Sequence, residues 1–389
     1  MTQDAQLDLG DPAFHADPHP FYAALRRTDP VHLVTLPNGS RAWLVTRYED
    51  AKRALSDPRL SKQYPVVGLP AVSRHMLSAD PPDHTRLRRL VSAAFTARRV
   101  EALRPRIEEI TAGLLDDVAR SGRDEIDLID AFAFPLPIQV ICELLGVPGE
   151  DRDDFRTWTN IIVAGPQPGV DHRGAVMALI AYIRELLVKR RRQSGDDLLA
   201  ALLEVRDDQD RLTEDELTSM VFLLLIAGHE TTVNLIGNGA WLLLSRPERW
   251  ERLVAGPSLL PAAIEEMLRF EAPVETATFR IAVTDLTIGG RPVAAGDQVV
   301  VGLLAANRDD RFDAPDEMRL DRENNPHLAF GHGIHYCLGA PLARLEGMVA
   351  FTRLAERFPG LRLAPDVQPE WRPGLLLRGL QRLPVRPAG

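Results

Sequence analysis

The chain has 389 residues, room for two or three domains at about 150 residues each or for one large enzyme core. With 45% hydrophobic and 26% charged residues it is neither disordered nor fibrous, and a formal net charge of −9 argues against general binding to nucleic acid or anionic membranes. Only Cys142 and Cys337 are present, which excludes a disulfide framework, a four-cysteine zinc or iron-sulfur site and covalent haem attachment through Cys-x-x-Cys-His, and makes a reduced, cytoplasmic protein the expectation.

In chain order, Met1 to Pro12 is polar and acidic with no apolar run, so neither a signal peptide nor an N-terminal anchor is expected. Val31 to Leu36 and Arg41 to Thr46 are β-rich and flank Pro37-Asn38-Gly39-Ser40, a hairpin signal because Asn-Gly tolerates positive φ. Gln63 to Met76 and Val163 to Arg173, rich in Pro and Gly, read as mobile loops rather than packed elements. From Asp83 to Phe270 the pattern is helical, broken at Gly146-Val147-Pro148, Gly165 to Gly169 and Gly256-Pro257. Within it, Leu87, Leu90, Val91 and Ala94 share one helical face, bordered by His84 and Arg88, with Arg86 and Arg89 pointing away. Two cationic donors at the rim of a buried face suit a pair of carboxylates; the alternative is a solvated basic helix.

Leu217 to Ser245 has Glu230 as its only charge and is long enough to cross a membrane. Its polar residues, Gly228 to Thr232 with Asn234 and Asn238, fall at the middle, where hydrocarbon penalises them most, so a helix buried inside the protein is expected. In Ala227-Gly228-His229-Glu230-Thr231-Thr232 the small residues would let a flat cofactor approach, and an acid beside a hydroxyl is costly in an apolar helix unless used. Alternatively, Thr231 bonds back to the Ala227 carbonyl and bends the helix. Glu266 and Arg269 stand three apart on the helical segment Leu259 to Phe270, a spacing that by itself indicates a surface ion pair. Strand character returns in Phe279 to Ile288, Arg291 to Val293 and Gln298 to Leu303, and again after Leu361. Strands at both ends must pair with each other or with the late sheet, so the class is mainly α with minor β, in one domain over residues 1–389.

The most informative stretch is Phe330-Gly331-His332-Gly333-Ile334-His335-Tyr336-Cys337-Leu338-Gly339, followed by a helical pattern through Leu342, Leu345, Val349 and Leu354. Glycines permit a tight turn and close approach to a flat ligand, and a cysteine just before a helix N-terminus has its thiolate favoured by the dipole. This makes Cys337 a thiolate metal ligand. The alternatives are a buried structural cysteine or zinc held by His332, His335 and Cys337, whose tight spacing lacks a second sulfur.

The loop resembles the haem-binding signature of cytochrome P450, Phe-Gly-x-Gly-x-His-x-Cys-x-Gly, at every fixed position, and the other motifs follow in that family's order along nearly the whole chain. The fold implied is a single triangular helical domain with small peripheral β-sheets. The resemblance implies haem b with Cys337 as axial thiolate in a loop with Phe330, Gly331 and Gly339. His84, Arg88, Arg280 and His335 would serve the propionates, and the Glu266–Arg269 pair would brace the haem-binding core. Thr231 becomes the alcohol that donates a hydrogen bond on the oxygen side, and Glu230 the acid that relays protons from solvent. The two Pro/Gly-rich loops would cover the substrate chamber, with Leu224, Leu225, Ala227, Val274, Ala277 and Leu376 as lining.

The resemblance is strongest to bacterial hydroxylases of macrolides and other polyketides, and extends to sterol and secosteroid hydroxylases. It implies a monooxygenase that uses two electrons and O2 to insert one oxygen atom into a C-H bond of a bulky apolar substrate. No flavin or nicotinamide fingerprint and no iron-sulfur cysteine set is present, so a ferredoxin and a ferredoxin reductase are the expected donors, docking on Arg86, Arg89, Arg98, Arg99 and Arg344. A non-catalytic haem-thiolate sensor or ligand carrier is the alternative, and a peroxide-using haem enzyme another; neither has use for the Glu230-Thr231 pair. A cytoplasmic monomer is expected.

Overall fold

The computed structural model describes residues 9–36, 39–63, 70–147, 152–164, 169–192, 198–204 and 211–387. The architecture is mainly helical with small sheets, as expected, three of them among the described residues. Strands β1 (Val31–Thr35) and β2 (Arg41–Val45) form the antiparallel hairpin, with Val31 opposite Val45 and the Leu36 amide donating to the Ser40 carbonyl; Pro37 and Asn38 lie outside the described residues. The remaining strands are β3 (Leu60–Ser61), β4 (Ile126–Asp127), β5 (Arg280–Ala282), β6 (Leu286–Ile288), β7 (Arg291–Val293), β8 (Gln298–Val301), β9 (Arg362–Leu363) and β10 (Pro384–Arg386).

The largest sheet has the order β1-β2-β8-β5-β3, and β2 pairs with β8 in parallel, so the N-terminal hairpin is completed by the late sheet. The expected strand over Phe279 to Ile288 is divided into β5 and β6 by a bend at Val283 and Thr284; the Val283 amide still donates to the Arg59 carbonyl (2.9 Å), in register with the β3–β5 pairing. Likewise β8 stops at Val301, since Leu303–Ala306 closes into a short helix.

The central helix, Glu214–Leu244, starts earlier than its apolar run because a capping box fixes its end: Thr213 accepts from the Glu216 amide and Glu216 from the Thr213 amide. It is long and apolar enough to cross a membrane, yet 61% of its most apolar window is buried inside the protein. Helices Pro135–Leu145, His172–Arg190, Leu260–Phe270 and Ala340–Arg357 pack around it. Its polar groups are used internally: Asn238 Nδ2 donates to the Arg378 and Glu271 carbonyls at 2.9 and 3.3 Å. An apolar cluster reaching from Leu9 to Val385 surrounds this helix, and a smaller one containing Val31, Val45, Tyr48, Val299 and Phe312 fills the sheet side.

Of the two stretches read as loops, residues 64–69 and 165–168 lie outside the described residues. Pro70–Ser73, in contrast to the loop expectation, is a short helix packed on the central helix, where Ala71 is buried.

Candidate active site

The cysteine loop folds back on itself, the Cys337 amide donating to the Phe330 carbonyl at 2.9 Å. Gly331 and Gly333 take left-handed backbone, φ 74° and 75°. A Cβ on Gly333 would lie 3.1 Å from the Leu55 carbonyl oxygen, so a side chain there would push the loop away from helix Tyr48–Ser56. Gly339 has an ordinary φ of −79°, and a Cβ there would make only normal contact, 3.9 Å, with Cys337 Sγ.

Helix Ala340–Arg357 starts directly behind the sulfur. Burial pushes the Cys337 thiol up; the Gly339 and Ala340 amides, Arg88 and Arg344 pull it down without reversing the shift. The helix end therefore does not make the thiolate by itself, whereas coordination to a metal cation removes the thiol proton outright. Cys337 is an exposed cysteine, and the surface it presents lines a cavity of about 1450 Å³. Among the described residues no three His, Cys, Asp or Glu side chains gather as a metal site, so His332, His335 and Cys337 do not converge on zinc.

Glu266 and Arg269 are both completely buried rather than on the surface. Arg269 Nε and Nη2 donate to the two Glu266 oxygens at 2.8 Å each, and its Nη1 donates to the Asn307 and Pro315 carbonyls at 2.9 and 2.8 Å. Arg322, which sequence reading missed, adds a third member: its Nε donates to Glu266 Oε2 at 2.9 Å. Burial would raise the Glu266 carboxyl, but Arg269 and its other donors hold it below the usual range. Asn307 in turn accepts from the Leu328 amide at 2.7 Å, which ties this brace to the start of the cysteine loop.

Lys62, Arg88, Arg280 and His335 line the cavity. His84 is buried behind them, its ring 4.4 Å from that of His335, and neither of its nitrogens has a partner. Lys62 escaped sequence reading: its Nζ meets Thr278 and the Phe279 carbonyl (3.0 Å), all uncharged, and burial followed by Arg280 brings its pKa down to about 7. Burial, then His84, Lys62 and Arg280, lowers His335 to about 3. The acid acting on Lys62, His84 and His335 is Asp80, whose oxygens already accept from Ser61 and from the Lys62 amide (3.0 Å). Such an excess of basic groups fits the two carboxylates of a haem, and the lone sulfur fits its iron.

On the central helix, Leu224, Ala227, Gly228 and Thr231 face the cavity; Val274, Ala277, Phe330, Gly331, Gly339 and Leu376 also lie on its wall. Leu225, expected with them, points into the core: at 100° per residue the arc through 224, 227, 228 and 231 leaves 225 outside. Thr231 Oγ1 donates to the Ala227 carbonyl at 3.0 Å, the bond anticipated by the helix-bending alternative, and the helix continues unbroken through it. Glu230 stands behind the wall, buried, with Oε1 bound by Arg372, a cavity-lining residue that no local sequence signal marked. Of the expected docking arginines, Arg86 pairs with Glu216, and Arg344 donates to both Glu265 oxygens (2.7 and 2.8 Å) and lies over the Phe330 ring; Arg89, Arg98 and Arg99 are exposed.

This helical fold, with one sulfur facing a large cavity beside a basic cluster, defines a haem-thiolate enzyme, and the chain belongs to the cytochrome P450 family, which it matches over residues 166–255 and 258–379. It is 48% identical to 6-deoxyerythronolide B hydroxylase of Saccharopolyspora erythraea, over 97% of this chain and 98% of the relative. Identity to vitamin D(3) 25-hydroxylase of Pseudonocardia autotrophica is also 48%, over 99% of this chain and 97% of the relative. The solved structure of the ligand-free P450 monooxygenase TamI matches with a TM-score of 0.91 at 50% identity, covering 99% of this chain and 95% of that one. The protein is therefore an oxidoreductase, a monooxygenase using haem iron with a cysteine thiolate ligand, and the sensor alternative falls away.

Proposed function

We propose that this P450 binds haem b without covalent attachment, with Cys337 as the axial thiolate, and oxidises a C-H bond of a bulky apolar substrate, a macrolide or a related secondary metabolite. The observation that carries the reading is the cavity: at about 1450 Å³ it exceeds the roughly 300–1,000 Å³ of an ordinary ligand site, leaving room for a flat cofactor and a large second molecule. The relatives act on 6-deoxyerythronolide B and vitamin D(3), both consistent with such a chamber.

When bound, thiolate-ligated haem supplies oxygen activation, with the sulfur's electron density favouring O-O cleavage. The chain's own residues do the rest. Lys62, Arg88, Arg280 and His335, with His84 behind, neutralise the propionates, and the Glu266–Arg269–Arg322 brace fixes the loop that presents the sulfur. Leu224, Ala227, Val274, Ala277 and Leu376 exclude water from the substrate side. Thr231 Oγ1, which lies on the cavity wall with its proton on the Ala227 carbonyl, would turn that proton to the cavity, and Glu230, oriented by Arg372, would replace it. Electrons come from a ferredoxin and its reductase, whose acidic surface would meet Arg89, Arg98 and Arg99. We read the chain as one cytoplasmic domain acting as a monomer, supported by an apolar cluster that runs from one end of the described chain to the other.

The test is a screen of macrolides and polycyclic lipids for displacement of the Soret band, followed by turnover with ferredoxin, reductase and NADPH. A large apolar binder converted to a singly oxygenated product is expected, with product per NADPH falling by about 10²-fold in Thr231→Ala. Binding of small charged molecules only, or full coupling in Thr231→Ala, would contradict the reading.

A further inference from the structure

His229 is fully buried in the central helix, on the side turned from the cavity, with the rings of Phe134 and Phe155 centred 6.1 and 6.2 Å away. Its Nδ1 lies 2.8 Å from the Leu225 carbonyl oxygen, which can only accept, so Nδ1 carries a proton. In the neutral ring Nε2 is then a bare acceptor. Facing it at 3.9 Å is Glu230 Oε2. Both atoms are buried and neither has a partner, while the other Glu230 oxygen is held by Arg372. Two bare acceptors facing each other in a dry interior are unsatisfied and mutually repulsive; one proton between them satisfies both. The 3.9 Å separation is longer than a hydrogen bond, and apo contacts of this kind tighten in working complexes.

We propose that His229 Nε2 and Glu230 Oε2 share one proton, and that His229 is thereby a positioning residue that keeps Glu230 supplied from the far side of the wall that carries Thr231. The inference rests on the reading of Glu230 as the proton source of the site. In the step the Nε2–H bond breaks and an Oε2–H bond forms, leaving a neutral ring and a neutral carboxyl. The carboxyl then holds Arg372 less tightly, and that side chain, 36% exposed and also on the cavity wall, marks where water restores the proton. Among the described residues the charged groups acting on the ring are Glu230 and Arg372, and the phenyl rings of Phe134 and Phe155 meet it edge-on. Burial lowers the ring's pKa, Glu230 opposes that and Arg372 reinforces it, so a proton placed on Nε2 is readily given up.

The test uses the full-length holoenzyme labelled with [15N]histidine, the His229 resonances being assigned by their loss in His229→Phe, or in His229→Asn should the phenylalanine variant not fold. In the wild type Nε2 should resonate away from the bare-acceptor position, and it should move to that position in Glu230→Met. A bare-acceptor Nε2 in both proteins overturns the proposal. In turnover, His229→Phe should retain the thiolate Soret band while product per NADPH falls and the solvent isotope effect rises, each several-fold; values equal to wild type also overturn it. Full coupling in Glu230→Gln, with the shared-proton resonance still present in wild type, would remove the reading of Glu230 and leave the shared proton standing.

Discussion

The brace of Glu266, Arg269 and Arg322 is buried, as are Lys62, His84 and Arg280 of the basic cluster that the half-buried His335 completes, but the two treat charge differently. In the brace each charged group meets an opposite charge or a carbonyl within 2.7 to 3.3 Å, so desolvation is offset inside the protein. In the cluster basic groups crowd one another, with Asp80 the acid acting on Lys62 and His335, and burial pushes both toward their neutral forms. The first arrangement holds a fold together; the second is a binding site whose compensation comes from a ligand.

The sharpest way to break the comparison is Arg269→Ala. It strands Glu266 in the core with two fewer donors, and a loss of about 3–5 kcal/mol in urea unfolding is expected. An unchanged midpoint would show that the brace contributes nothing. Glu275 repeats the contrast at one carboxyl. Its neighbour Glu271 is depressed despite burial, through His19, Arg378 and Arg308, whereas burial raises Glu275 to about 7 although Tyr22 donates to it at 2.6 Å. Between its ordinary value of 4.5 and about 7 the folded state binds more protons than the unfolded one, so the contribution is complete below 4.5 and is lost as the pH rises to 7. Glu275→Gln should abolish that pH slope, worth on the order of 3 kcal/mol across the window, in thermal melts at a series of pH values. A slope retained in the variant would assign it elsewhere.

Lys62→Met should separate binding from folding: unfolding of the haem-free protein changes by less than about 1 kcal/mol, while transfer of haem to an acceptor globin speeds up several-fold. Equal loss of both would place Lys62 with the brace. The smallest effect is expected at the surface. Electron transfer from ferredoxin should slow a few-fold in Arg98→Glu and more weakly at high salt, followed by stopped-flow reduction.

How much of this was legible in the sequence follows from distance along the chain. The glycine-flanked cysteine, the Glu-x-x-Arg spacing and the hairpin are local patterns, and so is the mainly helical character. Arg322 reaches Glu266 across 56 residues, Arg372 reaches Glu230 across 142, and Lys62 reaches Thr278 across 216; only packing creates those contacts. Leu225 failed for the opposite reason, being local to the right helix but outside the arc that faces the cavity. The surface ion pair suggested by spacing alone is buried at Glu266 and Arg269, because spacing records adjacency and not depth.

The most direct measurement of the central claim is the absorption spectrum of the reduced, carbon monoxide-treated protein. The wild type should show the long-wavelength Soret band of thiolate ligation, and Cys337→Ser should lose it together with turnover while its circular dichroism stays helical. The same long-wavelength band in Cys337→Ser would contradict the account, because some group other than the sulfur facing the cavity would then be the ligand.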